Sequence, residues 1–102
     1  MNVSFRDRLV GSLEPDGSGG FRFAYAEGWI EYDARFPVSL SVPLDEPVDQ
    51  ASADAFFSNL LPEGPVRERL CRQLGISPDK RYDLLRAIGH DFAGALVVRD
   101  LP

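Results

Sequence analysis

The residues capable of chemistry are few and scattered along the chain. His90 is the only histidine and Cys71 the only cysteine. His90 stands beside Asp91, and such a pair could orient an imidazole. A hydrolytic triad also needs a nucleophile held against the ring, and side chains adjacent in sequence rarely face one another that way. His90 therefore reads as a polar loop residue following Gly89. One Cys and one His fall short of the three or four such ligands of a histidine–thiolate zinc site, and Cys71, beside Leu70 on a helix, reads as a buried structural thiol. Gly17-Ser18-Gly19-Gly20 is rich in glycine but lacks the lysine and following helix of a phosphate cradle, which leaves a hairpin turn. Asp45, Glu46 and Asp49 cluster in a proline-containing connector without the fixed geometry of an acid/base pair. They make either a solvated acidic loop or an acidic docking patch. Arg67, Arg69 and Arg72 accompany Glu68, with Arg69 and Arg72 on one helix face and Glu68 spaced to pair with Arg72. This is a solvated face or a basic strip for an acidic partner surface. No cofactor, metal or catalytic residue is expected, and the chain reads as a binding protein and not an enzyme.

The bulk properties agree. A length of 102 residues allows one domain. With 44% apolar and 26% charged residues the chain has the balance of a folded protein. No apolar run reaches the roughly 20 residues that cross a bilayer, and Met1 to Arg8 lacks a signal-peptide stretch. A lone cysteine allows no intrachain disulfide. The expected setting is the cytoplasm, with no membrane contact. The net charge of −5 is uneven, with four basic and nine acidic side chains in residues 1–50 and seven of each in residues 51–102. An acidic chain is a poor phosphate binder, so any DNA contact is expected to be indirect, and the charge is compatible with docking onto a basic partner.

The elements that must position these residues fall into two halves. Asn2–Phe5 and Leu9–Leu13 flank Arg6-Asp7-Arg8 as a hairpin. Pro15–Gly20 is a turn, and Phe21, Phe23 and Tyr25 alternate as a half-buried strand. Pro37, Pro43 and Pro47 exclude a long helix in residues 26–50. Val38–Val42 reads as a short edge strand, and Asp45–Gln50 as a connector. Helical spacing begins near residue 50, with Ser52 as N-cap and Ala53, Phe56, Phe57, Leu60 and Leu61 as the stripe, ended by Pro62. A second helix starts with Pro65 at its first position, carries Val66, Leu70 and Leu74, and is capped by Gly75. Ser77-Pro78 opens a third, with Tyr82, Leu85 and Ile88, closed by Gly89. Ala95–Val98 reads as a final strand. The fold class is α+β, a small antiparallel sheet made of an N-terminal meander plus a C-terminal strand, packed against two or three short helices. Phe56, Phe57, Leu60, Leu70, Leu85 and Ile88 are expected beneath the sheet with Phe23 and Trp29.

Three segments stand in a specific order: Phe56-Phe57-Ser58-Asn59-Leu60-Leu61-Pro62-Glu63-Gly64, then Tyr82-Asp83-Leu84-Leu85-Arg86-Ala87-Ile88-Gly89-His90-Asp91, then Ala93-Gly94-Ala95-Leu96. Upstream, Val10-Gly11-Ser12-Leu13, Phe23-Ala24-Tyr25, Trp29-Ile30 and Leu40-Ser41-Val42-Pro43-Leu44 fit the same pattern. Over nearly its whole length the chain resembles the N-terminal subdomain of HipA-type serine/threonine kinases. The ATP-binding loop and catalytic aspartates of such kinases are not within these 102 residues. The resemblance is strongest to the stand-alone form of that subdomain, the HipS antitoxin of split HipBST toxin–antitoxin systems. It implies a regulator that binds and inhibits a HipT-like serine/threonine kinase in trans, in a ternary complex with a HipB-like DNA-binding protein. It equally allows a subdomain that completes a kinase fold or assembles it with HipB. Several relatives carry a tryptophan directly after the Leu-Leu-Pro-Glu-Gly segment, where this chain has Pro65 and Val66, so no aromatic plug is available there. The expected partner-binding residues are Leu61, Pro62, Glu63, Gly64, Pro65, Val66, Arg69 and Arg72.

Overall fold

A computed structural model of the protein describes residues 1–88 and 96–99. β1 (Asn2–Phe5), β2 (Arg8–Pro15) and β3 (Phe21–Tyr25) form the expected antiparallel meander, and β4 (Leu96–Arg99) adds to the far side of β1, giving the order β3-β2-β1-β4. Arg6 and Asp7, both at positive φ, make the two-residue turn between β1 and β2, the backbone twist that tight hairpins favour. The register shifts once between Val3 and Ser4 and leaves Val10 without a Cα partner in β1, a bulge that directs Val10 into the core. Phe21 and Phe23 point inward while Arg22 and Ala24 face solvent, as strand alternation requires.

The helices are α1 (Glu27–Ile30), α2 (Gln50–Ser58), α3 (Gly64–Leu74) and α4 (Arg81–Ile88). β3 is an edge strand, and its outer backbone groups would be open to pairing with another chain. Side chains of α2 close that edge. The Gln50 carboxamide accepts from Phe23 N and donates to Phe23 O, both at 2.9 Å, and Asp54 Oδ1 accepts from Phe21 N at 2.8 Å. The match is geometric: four helical residues rise about 6 Å, close to the two-residue advance of a strand, about 6.6 Å. Positions i and i+4 of α2 therefore meet positions i and i+2 of β3. The second Asp54 oxygen takes Arg81 Nη1 at 2.7 Å and so ties α4 to α2. Arg81 also donates to Ser58 Oγ.

The glycine-rich turn is built to let this cluster form. A Cβ on Gly20 would collide with Asp54 Oδ1 and lie 2.6 Å from Arg81 Nη2. Asp16 Oδ1 accepts from Ser18 N, Ser18 Oγ and Gly20 N, and those hydrogen bonds, the Ser18 backbone bond first, hold its carboxyl below the usual value. The glycine-rich segment thus serves a turn, as expected.

Several boundaries differ from the sequence reading, each for a physical reason. Ser52 is not the N-cap of α2. Asp49 is: its carboxylate accepts from Ala51 N at 3.2 Å and from Ser52 Oγ at 2.8 Å. Asp49 is thus occupied as a helix cap. α2 stops at Ser58, before Pro62, because Leu60 and Leu61 wind into a turn whose amides bond Phe57 O and Ser58 O. Val38–Val42 is no strand but a tight turn with a single bridge, Ser39 to Val42. Trp29 sits on α1, which the aperiodic apolar residues around it did not signal, and it is fixed by Nε1 donating to Phe36 O at 3.0 Å and by edge contacts with Phe5 and Phe36. Gly89 and Ala95 lie outside the described residues, and β4 is described from Leu96.

Phe23, Trp29, Phe57 and Leu85 are buried as expected, joined by Leu13, Phe21 and Leu84. Phe56, Leu60, Leu70 and Ile88 are only partly buried and pack against this core. Phe57 touches Phe21 and Phe23 with ring centroids at 6.1 and 5.2 Å. Phe57→Ala should therefore cost about 3–5 kcal/mol, a large part of the roughly 5–15 kcal/mol such a domain has, visible as a collapse of the urea midpoint. Asp54→Ala, which strips β3 of one cap and Arg81 of its partner, should cost about 2 kcal/mol in the same denaturation experiment.

Candidate functional site

Leu61 to Arg72 runs from the end of α2 into α3. Leu61 is buried and anchors the segment to the core. Pro62 is half-buried, and Glu63, Gly64 and Pro65 are exposed. Gly64 takes φ +60, a left-handed conformation that costs other L-residues about 1–2 kcal/mol. With φ of Pro65 locked by its ring, the connection is stiff. Arg67 reaches back and donates from Nε to Pro62 O at 2.7 Å. α3 begins at Gly64, one residue earlier than expected, so Pro65 is its second residue. Its N-cap Glu63 makes no side-chain cap bond, and Gly75, in the left-handed region, ends the helix.

Of the apolar stripe expected on α3, Leu70 packs against the core while Val66 and Leu74 do not. Cys71 is the buried residue of the helix, as its reading as a structural thiol anticipated, and Leu70 is half-buried. Val66 is 62% exposed and Leu74 is 42% exposed. The four-residue spacing is real, but the helix is rotated so that Cys71 takes the core position. Arg69 and Arg72 are exposed on the same helix. The Glu68–Arg72 pair permitted by spacing does not form, and the one ion pair among the described residues is Arg81–Asp54. An exposed pair of this kind is worth only about 0.3–0.5 kcal/mol, little against the entropy of two long side chains. The structure thus presents a stiff turn, two exposed apolar side chains and two arginines without an ion-pair partner among the described residues.

Among the described residues no group of three or more His, Cys, Asp or Glu could hold a metal, and no helix is long and apolar enough to cross a membrane. His90 and Asp91 lie outside the described residues. Asp45 and Glu46 are exposed and make no ion pair among the described residues.

Sequence reasoning missed one feature. Leu40 is 95% exposed at the tip of the Ser39–Val42 turn. Ser39-Leu40-Ser41-Val42 alternates polar and apolar residues as a strand would. The signal that could have separated the two is the pair of flanking prolines, Pro37 and Pro43, which donate no backbone hydrogen bond to a neighbouring strand.

The model of the HipA N-terminal domain matches residues 1–99. Among curated proteins, a putative kinase of Sinorhizobium fredii, Y4mE, is 38% identical over 97 residues, which span 94% of this chain and 23% of that protein. The serine/threonine-protein kinase toxin HipA of Shewanella oneidensis is 35% identical, over 94% of this chain and 22% of its own length. A second putative kinase of S. fredii, Y4dM, is 37% identical over 96% of this chain and 26% of its own length. The chain therefore spans about a quarter of the length of these relatives.

The site geometry has a direct consequence for stability. Arg67→Ala should loosen the turn at Pro62 and lower stability by about 1 kcal/mol. Val66→Asp, at an exposed position, should leave it within about 0.5 kcal/mol of wild type. Thermal melts of the two variants side by side check both.

Proposed function

Since the chain belongs to the HipA N-terminal domain family, we propose that it acts by binding a HipT-like serine/threonine kinase in trans and holding it inactive, an antitoxin-like regulator without catalysis of its own. The observation that carries this is the surface of α3. Val66, Leu74, Arg69 and Arg72 all stand exposed on this one helix. Arginine is favoured at interfaces because its planar fork grips carboxylates, and a stiff turn loses little entropy on docking. The partner-binding set is Pro62, Glu63, Gly64, Pro65, Val66, Arg69 and Arg72, with Leu61 as its buried anchor. A HipB-like DNA-binding protein completes the assembly and supplies the DNA contact. The setting is cytoplasmic, and bacterial persistence is the physiology to which such a system belongs.

A second reading is favoured by one observation, that the relatives carry this domain within kinase chains about four times its length. On that reading the domain completes a kinase fold, or assembles it with a HipB-like protein, and does not restrain it. The two readings share the α3 surface and differ in the sign of the effect on phosphorylation.

The site is tested by single substitutions at Glu63, Pro65, Arg69 and Arg72, with melting unchanged, and calorimetry against the kinase that co-purifies with the chain. At least one should lose about 2 kcal/mol, roughly 30-fold in affinity. Four variants that bind like wild type would make the segment mere scaffold.

A further inference from the structure

The whole net charge of the chain resides in one stretch. Residues 26–50 hold six acidic side chains and one basic one, whereas the residues before and after are balanced. All six acidic residues are exposed, and none joins an ion pair among the described residues. The same stretch carries exposed apolar side chains, Ile30 at 43%, Phe36 at 37% and Leu40 at 95%.

Leu40 is not on a loose loop. Its turn is held from both sides by one hydroxyl: Tyr25 OH donates to Val42 O and accepts from Val38 N at 3.0 Å. Val42 N closes on Ser39 O at 3.0 Å, Ser41 N donates to Ser39 Oγ, and the Val42 side chain is fully buried. A buried valine and a tyrosine clamp thus fix the backbone on which a fully solvated leucine stands. Such a side chain contributes nothing to the fold, while a rigid apolar knob docks with little ordering cost.

The position of the turn is set by the α2 clamp. Gln50, at the start of α2, meets Phe23, and Tyr25 lies two residues beyond it; Asp54 meets Phe21 at the other end of β3. The Leu40 turn therefore stands at the N-terminal end of α2 and the Leu61–Arg72 segment comes after its C-terminal end, separated by a helix of nine residues, about 14 Å. One end of the domain carries carboxylates with apolar side chains, and the other carries Val66 and Leu74 with a mixed set of charges, Arg69 and Arg72 beside Glu63 and Glu68.

We infer that the Leu40 turn and the carboxylates around it form a second docking point on the same kinase body, with Leu40 entering an apolar socket rimmed by basic side chains. This rests on the kinase-binding reading of the α3 surface. Two arguments favour that occupant. In the relatives the domain shares its chain with a body some three times its size, large enough to meet both ends. The net negative charge at one end, set against the mixed charge at the other, also favours one orientation on such a body over the reverse.

The test is calorimetry of Leu40→Ala, Leu40→Asp and the double variant Asp45→Asn/Glu46→Gln against the co-purified kinase at low and moderate salt. Melting should not change, because Leu40 makes no contact to lose. Both Leu40 variants should weaken binding about tenfold or more. The double variant should flatten the salt dependence. Leu40 variants that bind within about twofold of wild type overturn the inference. If Arg69 or Pro65 variants lose affinity in the same series, the kinase-binding reading survives that failure. If wild-type chain does not bind the kinase at all, both fall together.

Discussion

The carboxamide of Gln50 and the carboxylate of Asp54 occupy the places that a further strand would take along the outer edge of β3. Their four-residue spacing on α2 matches the two-residue spacing of Phe21 and Phe23, so the helix lies along the strand in a single register. The rest of the packing depends on that register. Phe57 reaches Phe21 and Phe23. Asp54 presents its second oxygen to Arg81, which brings in α4, and Gly20 supplies the space for that pair. The two ends of α2 are then fixed points, one beside Tyr25 and its turn, the other leading through Leu61 into α3. A strand edge closed by side chains also removes the template on which another chain could pair.

Much of this was legible in the sequence because it rests on periodicity. The alternation of Phe21, Phe23 and Tyr25 gave β3, the switch to helical spacing near residue 50 gave α2 to α4, and proline and glycine marked the segment between Leu61 and Gly75. What stayed hidden depends on partners distant in sequence. Asp49 outcompeted Ser52 as a cap because its longer carboxylate reaches both Ala51 N and Ser52 Oγ. Residues 26–42 carry no period because aromatic edge contacts and bonds from Trp29 and Tyr25 to backbone carbonyls order them. The stripe Val66, Leu70, Leu74 was correctly spaced, yet only Leu70 packs on the core: periodicity shows that a helix has an apolar side, not what covers it. The expected binding residues were marked by type and by resemblance, and the structure places them, apart from Leu61 and the half-buried Pro62, on an exposed surface.

For function, the consequence is a domain whose stability and whose exposed chemistry occupy different residues. The core and the α2 clamp use Phe21, Phe23, Gln50, Asp54, Phe57 and Arg81. The α3 arginines, Val66 and Leu74 remain available. With that separation, surface side chains can change without loss of the fold. It also fits a family in which Y4mE and the Shewanella HipA carry this domain beside a far larger body. The central claim is that the chain, added in trans, restrains that body's kinase activity. The most direct measurement is the autophosphorylation and substrate phosphorylation rate of the co-purified HipT-like kinase, titrated with wild-type chain. A rate that falls saturably to a low plateau near equimolar addition is the predicted result, and a rate that stays level or rises would contradict restraint and favour completion of the kinase fold.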